Sequence, residues 1–93
     1  VRKVRALSQF KRDFRRERSG RHGARLDVEL KTVLDQLVRD EPLPRHRFDH
    51  PLKGEWNDCR DCHIRPDLVL IYRKPDDETL ELLRLGSHSE LGW

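Results

Sequence analysis

Arg60-Asp61-Cys62-His63-Ile64-Arg65-Pro66-Asp67-Leu68-Val69-Leu70-Ile71-Tyr72 reads as two strands joined at Pro66. Cys62 and Ile64 alternate with Asp61 and His63, the period of a strand with one apolar face. Leu68 to Tyr72 is an unbroken apolar run, short enough to be a buried strand. The spacing predicts strands over about Trp56–Ile64, Asp67–Lys74 and Thr79–Leu85, with Lys74-Pro75-Asp76-Asp77-Glu78 as the polar turn between the last two. Strands joined this closely pair antiparallel.

Upstream, Val1 to Leu7 alternates and predicts a short first strand, with Ser8 as the expected N-cap of the helix that follows. Phe10 and Phe14 are four apart and share one face of that helix. Gly20 and Gly23 break it. Leu26, Leu30, Val33, Leu34, Leu37 and Val38 carry helical spacing, so a second amphipathic helix runs to about Arg39, where Pro42 and Pro44 stop the chain. Residues 41–55 form a long irregular connection, which in a small domain is often functional. The expectation is one α+β domain over residues 1–93, ordered β-α-α-β-β-β, an antiparallel sheet with both helices packed on one face.

The chain has 93 residues, 34% hydrophobic and 40% charged, with a net charge of +3. The positive charge is concentrated: Arg2, Lys3, Arg5, Lys11, Arg12, Arg15, Arg16, Arg18, Arg21 and Arg25 crowd the first quarter, opposed there by Asp13 and Glu17. Arginine predominates, and its planar fork suits phosphate. Lys11, Arg12, Arg15, Arg16 and Arg18 are therefore candidate RNA contacts, a nucleic-acid footprint on one helix. No apolar run is long enough to span a bilayer, and no export signal is present. The expected compartment is the cytoplasm, with Cys59 and Cys62 as reduced thiols.

Cys59-Arg60-Asp61-Cys62-His63 matches the C-x-x-C-H pattern of haem attachment. That chemistry accompanies export, and the chain has no methionine for an axial ligand. Zinc on the two thiols with His46, His50 and His63 is the stronger competitor. A strand here would aim Cys59 and Cys62 at opposite faces, so neither metal nor cofactor is expected, and Cys62 is read as a small buried hydrophobe. The same alternation puts Asp61 and His63 together on the open face of the sheet. With Asp67 after the Pro66 turn, His88 after the last strand and His50 in the long loop, they form a set of proton-transfer groups suited to neutral pH.

Three blocks in sequence carry a family likeness. Asp49-His50-Pro51-Leu52-Lys53-Gly54-Glu55-Trp56 resembles the D-H-x-L-x-G-x-W segment of YafQ-type toxins. Arg60 to Tyr72 resembles their R-D-x-H-x-x-x-D-x-x-L-I-Y block, and Leu83-Arg84-Leu85-Gly86-Ser87-His88 their closing R-x-G-[ST]-H segment. The resemblance implies the RelE/ParE-like fold and an mRNA endonuclease acting in the ribosomal A site. It implies neutralisation by a cognate antitoxin, DinJ-like and ribbon-helix-helix in type, in a toxin–antitoxin heterotetramer. It implies an active site of His50, His63, Asp67 and His88 with Asp61 beside them, and an aromatic near the mRNA, for which Trp93 is the candidate. RNA carries its own nucleophile, the 2′-hydroxyl, so cleavage needs a base, an acid and cations for the charge on phosphorus. Histidines and aspartates supply the first two, and Arg60 or Arg84 the third. The competing readings are a ParE-like gyrase inhibitor without catalysis and a small basic RNA-binding module.

Overall fold

The computed structural model describes residues 1–20 and 23–92. The elements are β1 (Lys3–Ala6), α1 (Ser8–Arg18), α2 (Gly23–Val38), β2 (His50–Pro51), β3 (Arg60–Arg65), β4 (Leu68–Arg73), β5 (Thr79–Gly86) and α3 (His88–Leu91), with 3-10 turns at Arg45–Arg47 and Gly54–Trp56. The strands form one sheet in the order β1-β5-β4-β3-β2. β3, β4 and β5 are the expected antiparallel meander.

Four details differ from the sequence reading. β1 pairs parallel with β5, Lys3 opposite Thr79 through Ala6 opposite Leu82. Its neighbour is distant in sequence and its direction is set by the meander, so the helical crossover makes a parallel pair. A fifth strand, β2, pairs His50 with Asp61 and Pro51 with Arg60. It is an edge strand where proline, lacking an N–H, is tolerated. Trp56 lies in a 3-10 turn, and β3 starts only at Arg60. Ser8 is not the N-cap of α1; Leu7 holds that position without a side-chain bond. The Leu7 amide still extends the sheet by donating to the Leu82 carbonyl at 3.0 Å.

Both helices cover one face. Phe10 of α1 and Leu26, Leu30, Val33 and Leu37 of α2 pack on Cys62, Ile64, Leu68, Leu70, Tyr72, Leu80, Leu82 and Leu85 of the sheet. Burial of each such side chain is worth roughly 1.5–3 kcal/mol. Phe10 and Phe14 stack with ring centroids 6.1 Å apart, as their spacing predicts. Gly23 opens α2 because a Cβ there would lie 1.9 Å from the Arg18 carbonyl oxygen. Among the described residues, no helix is long and apolar enough to cross a membrane.

β1 pairs with β5 only as far as Leu82. Beyond that point α1 takes the place of a strand. The buried Asp13 Oδ2 accepts the Leu85 amide at 3.0 Å, and Arg16 Nη2 donates to the Leu85 carbonyl at 2.9 Å. Asp13 also accepts Arg84 Nε at 2.7 Å and Arg16 Nη1 at 3.0 Å. Burial pushes the Asp13 carboxyl upward, but the Arg84 bond, the Leu85 amide and the charges of Arg84 and Arg16 outweigh it and hold it below its ordinary 3.8.

Removing this carboxylate leaves partly buried donors without an acceptor, so Asp13→Ala should lose about 2–4 kcal/mol of stability in denaturant titration. A depressed folded-state value means that, on acidification, the unfolded chain takes the proton first. The parent should therefore lose stability as pH falls through 3.8 and on through the lower folded value, and Asp13→Asn should show a shallower acid slope. Equal slopes in the two proteins would refute this role.

Candidate active site

On β3, Cys62 and Ile64 belong to the core under the helices, so Asp61 and His63 project from the opposite face. The β2 register lays His50 beside Asp61. Its neighbour Asp49 anchors the loop: Asp49 Oδ1 accepts the Tyr72 hydroxyl at 2.6 Å and Arg60 Nε at 3.2 Å. Alternation in the short β2 strand thus explains the Asp49-His50 pair, one side chain holding the loop and the other meeting Asp61. Burial, then the bond to Asp49, pushes the Tyr72 hydroxyl far up, so it stays a donor.

His88 arrives from β5. Gly86 pairs with Val69, and Val69 with His63. Ser87 then caps α3 in a reciprocal box with Glu90: its hydroxyl accepts the Glu90 amide at 3.2 Å and its own amide donates to Glu90 Oε1 at 2.9 Å. A Cβ on Gly86 would press on Arg16 Nη2 at 3.1 Å and Glu90 Oε1 at 3.4 Å, so the glycine leaves room for Arg16 to join α1 to α3. The His88 and His63 ring centroids are 5.3 Å apart, and Phe48 lies 5.3 Å from His63.

Asp61 is 2% exposed and does not lie on an open surface as its place in the strand suggested. Its Oδ1 is 3.2 Å from His50 Nδ1, but that N–H has a shorter partner in the Phe48 carbonyl at 2.7 Å. One N–H cannot serve both well, and Asp61 Oδ1 is left without a hydrogen bond. Burial raises the carboxyl above its usual range, opposed by the positive forms of His50, His63 and His88 and assisted by the charge of Asp49. The structure thus gathers three imidazoles around one buried carboxylate.

The placement of the other sequence candidates varies. Asp67 stands half-buried in the β3–β4 turn, at the end of the sheet from which His88 emerges. Arg60 shares the helix-side row and is paired with Asp49, and Arg84 is tied to Asp13, so neither guanidinium is held in the imidazole cluster. Arg16 departs from the reading of a basic recognition face. Its Nε contacts Glu17 at 2.9 Å and Glu90 at 3.1 Å, and the rest of its fork is taken by Asp13 and Leu85. Lys11, Arg12, Arg15 and Arg18 are exposed, with Arg18 paired to Asp27 at 3.1 Å. Trp93 lies outside the described residues. Cys62 is in the core, while Cys59 is buried against Asp58, and burial first, then Asp58, pushes its thiol up to about 11. Among the described residues, no three His, Cys, Asp or Glu side chains are grouped so as to hold a metal ion. Sequence reasoning missed Phe48, whose signal was a lone aromatic in a polar loop two residues before His50.

This chain is similar to the Haemophilus influenzae protein bearing the YafQ name, at 44% identity over 62 residues, 63% of this chain and 61% of that one. It is similar to the mRNA interferase toxin YafQ of Escherichia coli at 43% over 63 residues, 67% of each chain. The matched stretch thus spans about three-fifths to two-thirds of those relatives. The fold superposes on YafQ in the E. coli DinJ–YafQ complex with a TM-score of 0.84 at 33% identity, covering all of both chains. It superposes on a metal-bound toxin from Helicobacter pylori with a TM-score of 0.86 at 39% identity, covering 98% of this chain and 99% of that one. Residues 2–92 match the family described as the bacterial toxin of type II toxin–antitoxin system, YafQ. With that match running through the strands and loops that bring His50, Asp61, His63 and His88 together, the chain belongs to the YafQ family of RelE-superfamily toxins.

Proposed function

We propose that residues 1–93 form one toxin domain that cuts mRNA on the ribosome in the cytoplasm and is silenced by a cognate antitoxin. The observation that carries the reading is the set of three imidazoles around buried Asp61, which a pure binding protein would not need. The activity named for the E. coli relative supports it.

In the reaction, one imidazole removes the proton of the ribose 2′-hydroxyl. The freed oxygen attacks the adjacent phosphorus, and a second imidazole, already protonated, gives its proton to the departing 5′-oxygen. The products are a 2′,3′-cyclic phosphate and a 5′-hydroxyl. His88 and His63, in adjacent rings, are the pair assigned to these transfers, with Asp67 at the same end of the sheet. Asp61 and His50 act behind them: the buried carboxylate stands beside the rings and does not touch RNA. With Arg60 and Arg84 committed to carboxylates, the imidazolium itself answers the charge on phosphorus. No step calls on a metal. Base and acid each contribute about 10²–10⁴-fold, and the ribosome positions the strand for the remainder.

The exposed cations of α1 are assigned to ribosomal RNA phosphates and to an acidic segment of the antitoxin, a DinJ-like ribbon-helix-helix protein forming a heterotetramer with the toxin. Beside them is a cavity of about 450 Å3 lined by Ala6, Phe10, Phe14, Leu30, Leu34 and Leu82, with Lys11 and Arg15 at its rim. That combination suits an amphipathic acidic helix.

Translation of a defined message with the purified protein should yield new 5′-hydroxyl ends, equally when the protein has first been stripped with a chelator and the chelator removed. His88→Ala should reduce them at least 100-fold with fold and antitoxin binding retained, and full cleavage by that variant would refute the assignment. Asp61→Asn keeps the side-chain shape and removes the acid beside the rings, so its maximal rate should fall at least tenfold, while it unfolds no more readily than the parent because burial already disfavours the charged carboxylate. A parental maximal rate would exclude electrostatic support by Asp61. Replacing Lys11, Arg12 and Arg15 with glutamate, leaving Arg16 in place, should weaken ribosome and antitoxin binding, most at low salt. Unchanged affinities for both partners would dismiss the basic face.

A further inference from the structure

A second cavity, of about 490 Å3, adjoins His63 and is lined by Glu29, His46, Arg47, Phe48, His63 and Arg65. Two of its walls are unusual. Phe48 is 64% exposed, although it is a large apolar side chain beside a cluster of imidazoles. Its backbone has φ +50°, a conformation bulky residues rarely hold. Both backbone groups are engaged: its N–H donates to the Arg45 carbonyl at 3.0 Å and its carbonyl accepts His50 Nδ1 at 2.7 Å. The ring is thus held 5.3 Å from His63, still largely open to solvent. Arg47 is the second. Its Nη1 is anchored on the Ile64 carbonyl at 2.7 Å, while its Nε is buried with no acceptor. Arg47 thereby forms a fixed wall of the cavity, anchored through Nη1 with its Nε enclosed within the fold.

We propose that this cavity is a nucleobase subsite, taking the base of one nucleotide flanking the scissile phosphate. The base stacks on the open face of Phe48, with the Arg47 and His63 side chains as neighbouring walls. The proposal rests on the ribonuclease reading above and extends it, since RNA held for reaction at His63 places its neighbouring bases within reach of Phe48. Stacking on an aromatic tolerates any base, so the subsite adds affinity rather than base preference.

The test uses single-turnover cleavage on programmed ribosomes with the parent, Phe48→Ala, Phe48→Leu and Phe48→Tyr, on messages each abasic at one position flanking the cut. Phe48→Ala should raise the half-saturating toxin concentration roughly 5- to 150-fold. Phe48→Tyr should restore it and Phe48→Leu should not, because leucine packs on His63 without offering a stacking face. The cost of Phe48→Ala should vanish on the message lacking the base that occupies the subsite. The proposal is overturned if Phe48→Ala cleaves with parental half-saturation, whether or not it weakens antitoxin binding. It is equally overturned if the loss is in rate alone and leucine restores it, the mark of a support for His63. A parent that leaves every message intact would instead remove the ribonuclease reading beneath it.

Discussion

A strand edge inside a folded domain must have its amides and carbonyls met by something. β5 runs four residues past the end of its pairing with β1, and α1 lies where the missing strand would be. Asp13 accepts the Leu85 amide and Arg16 donates to the Leu85 carbonyl, so two helix side chains reproduce one rung of a ladder. That pair fixes where α1 sits on the sheet. Through Arg16 and Glu90 it also fixes α3, and with it His88. An ion-pair cluster at the sheet edge thereby links α1 to the short helix that begins at His88.

The clamp divides the positive charges of the first quarter into two populations. Arg16, although its side chain is 44% exposed, is paired with Asp13, Glu17 and Glu90. Lys11, Arg12 and Arg15 face solvent, beside the apolar hollow between α1 and α2. Surface cations with few local partners keep the side-chain freedom that a bound phosphate or carboxylate must restrict. Arg16 is already held by three carboxylates and the Leu85 carbonyl, so it differs from its neighbours in partners rather than in exposure.

Much was legible from local pattern. The alternation over Asp61 to Ile64 gave the correct face for each residue, and the heptad-like spacing of Leu26 to Val38 gave the buried side of α2. What local pattern cannot contain is a partner far away in the chain. The parallel β1–β5 pairing depends on residues more than seventy apart, as do the bonds of Asp13 to Arg84 and Leu85. The two-residue β2 strand has no periodicity to detect, and the loop over Asp61 converts an expected surface carboxylate into a buried one. Phe48 escaped for a related reason: one aromatic in a polar loop has no period, and its importance comes from a left-handed backbone turn and from the cavity beside it.

The two buried aspartates make opposite contributions, and the comparison explains why the site can exist. Asp13 meets two guanidinium groups and a backbone amide, so burial is outweighed and its carboxyl is held low. Asp61 meets imidazoles and no guanidinium, and its Oδ1 has no hydrogen bond, so burial prevails and its carboxyl is raised. A carboxylate placed this way weakens the fold whenever it is ionised, so stability does not account for its position. The proposed reaction does: it needs acid and base groups side by side, and imidazole as a chemical class exchanges protons near neutral pH where guanidinium does not.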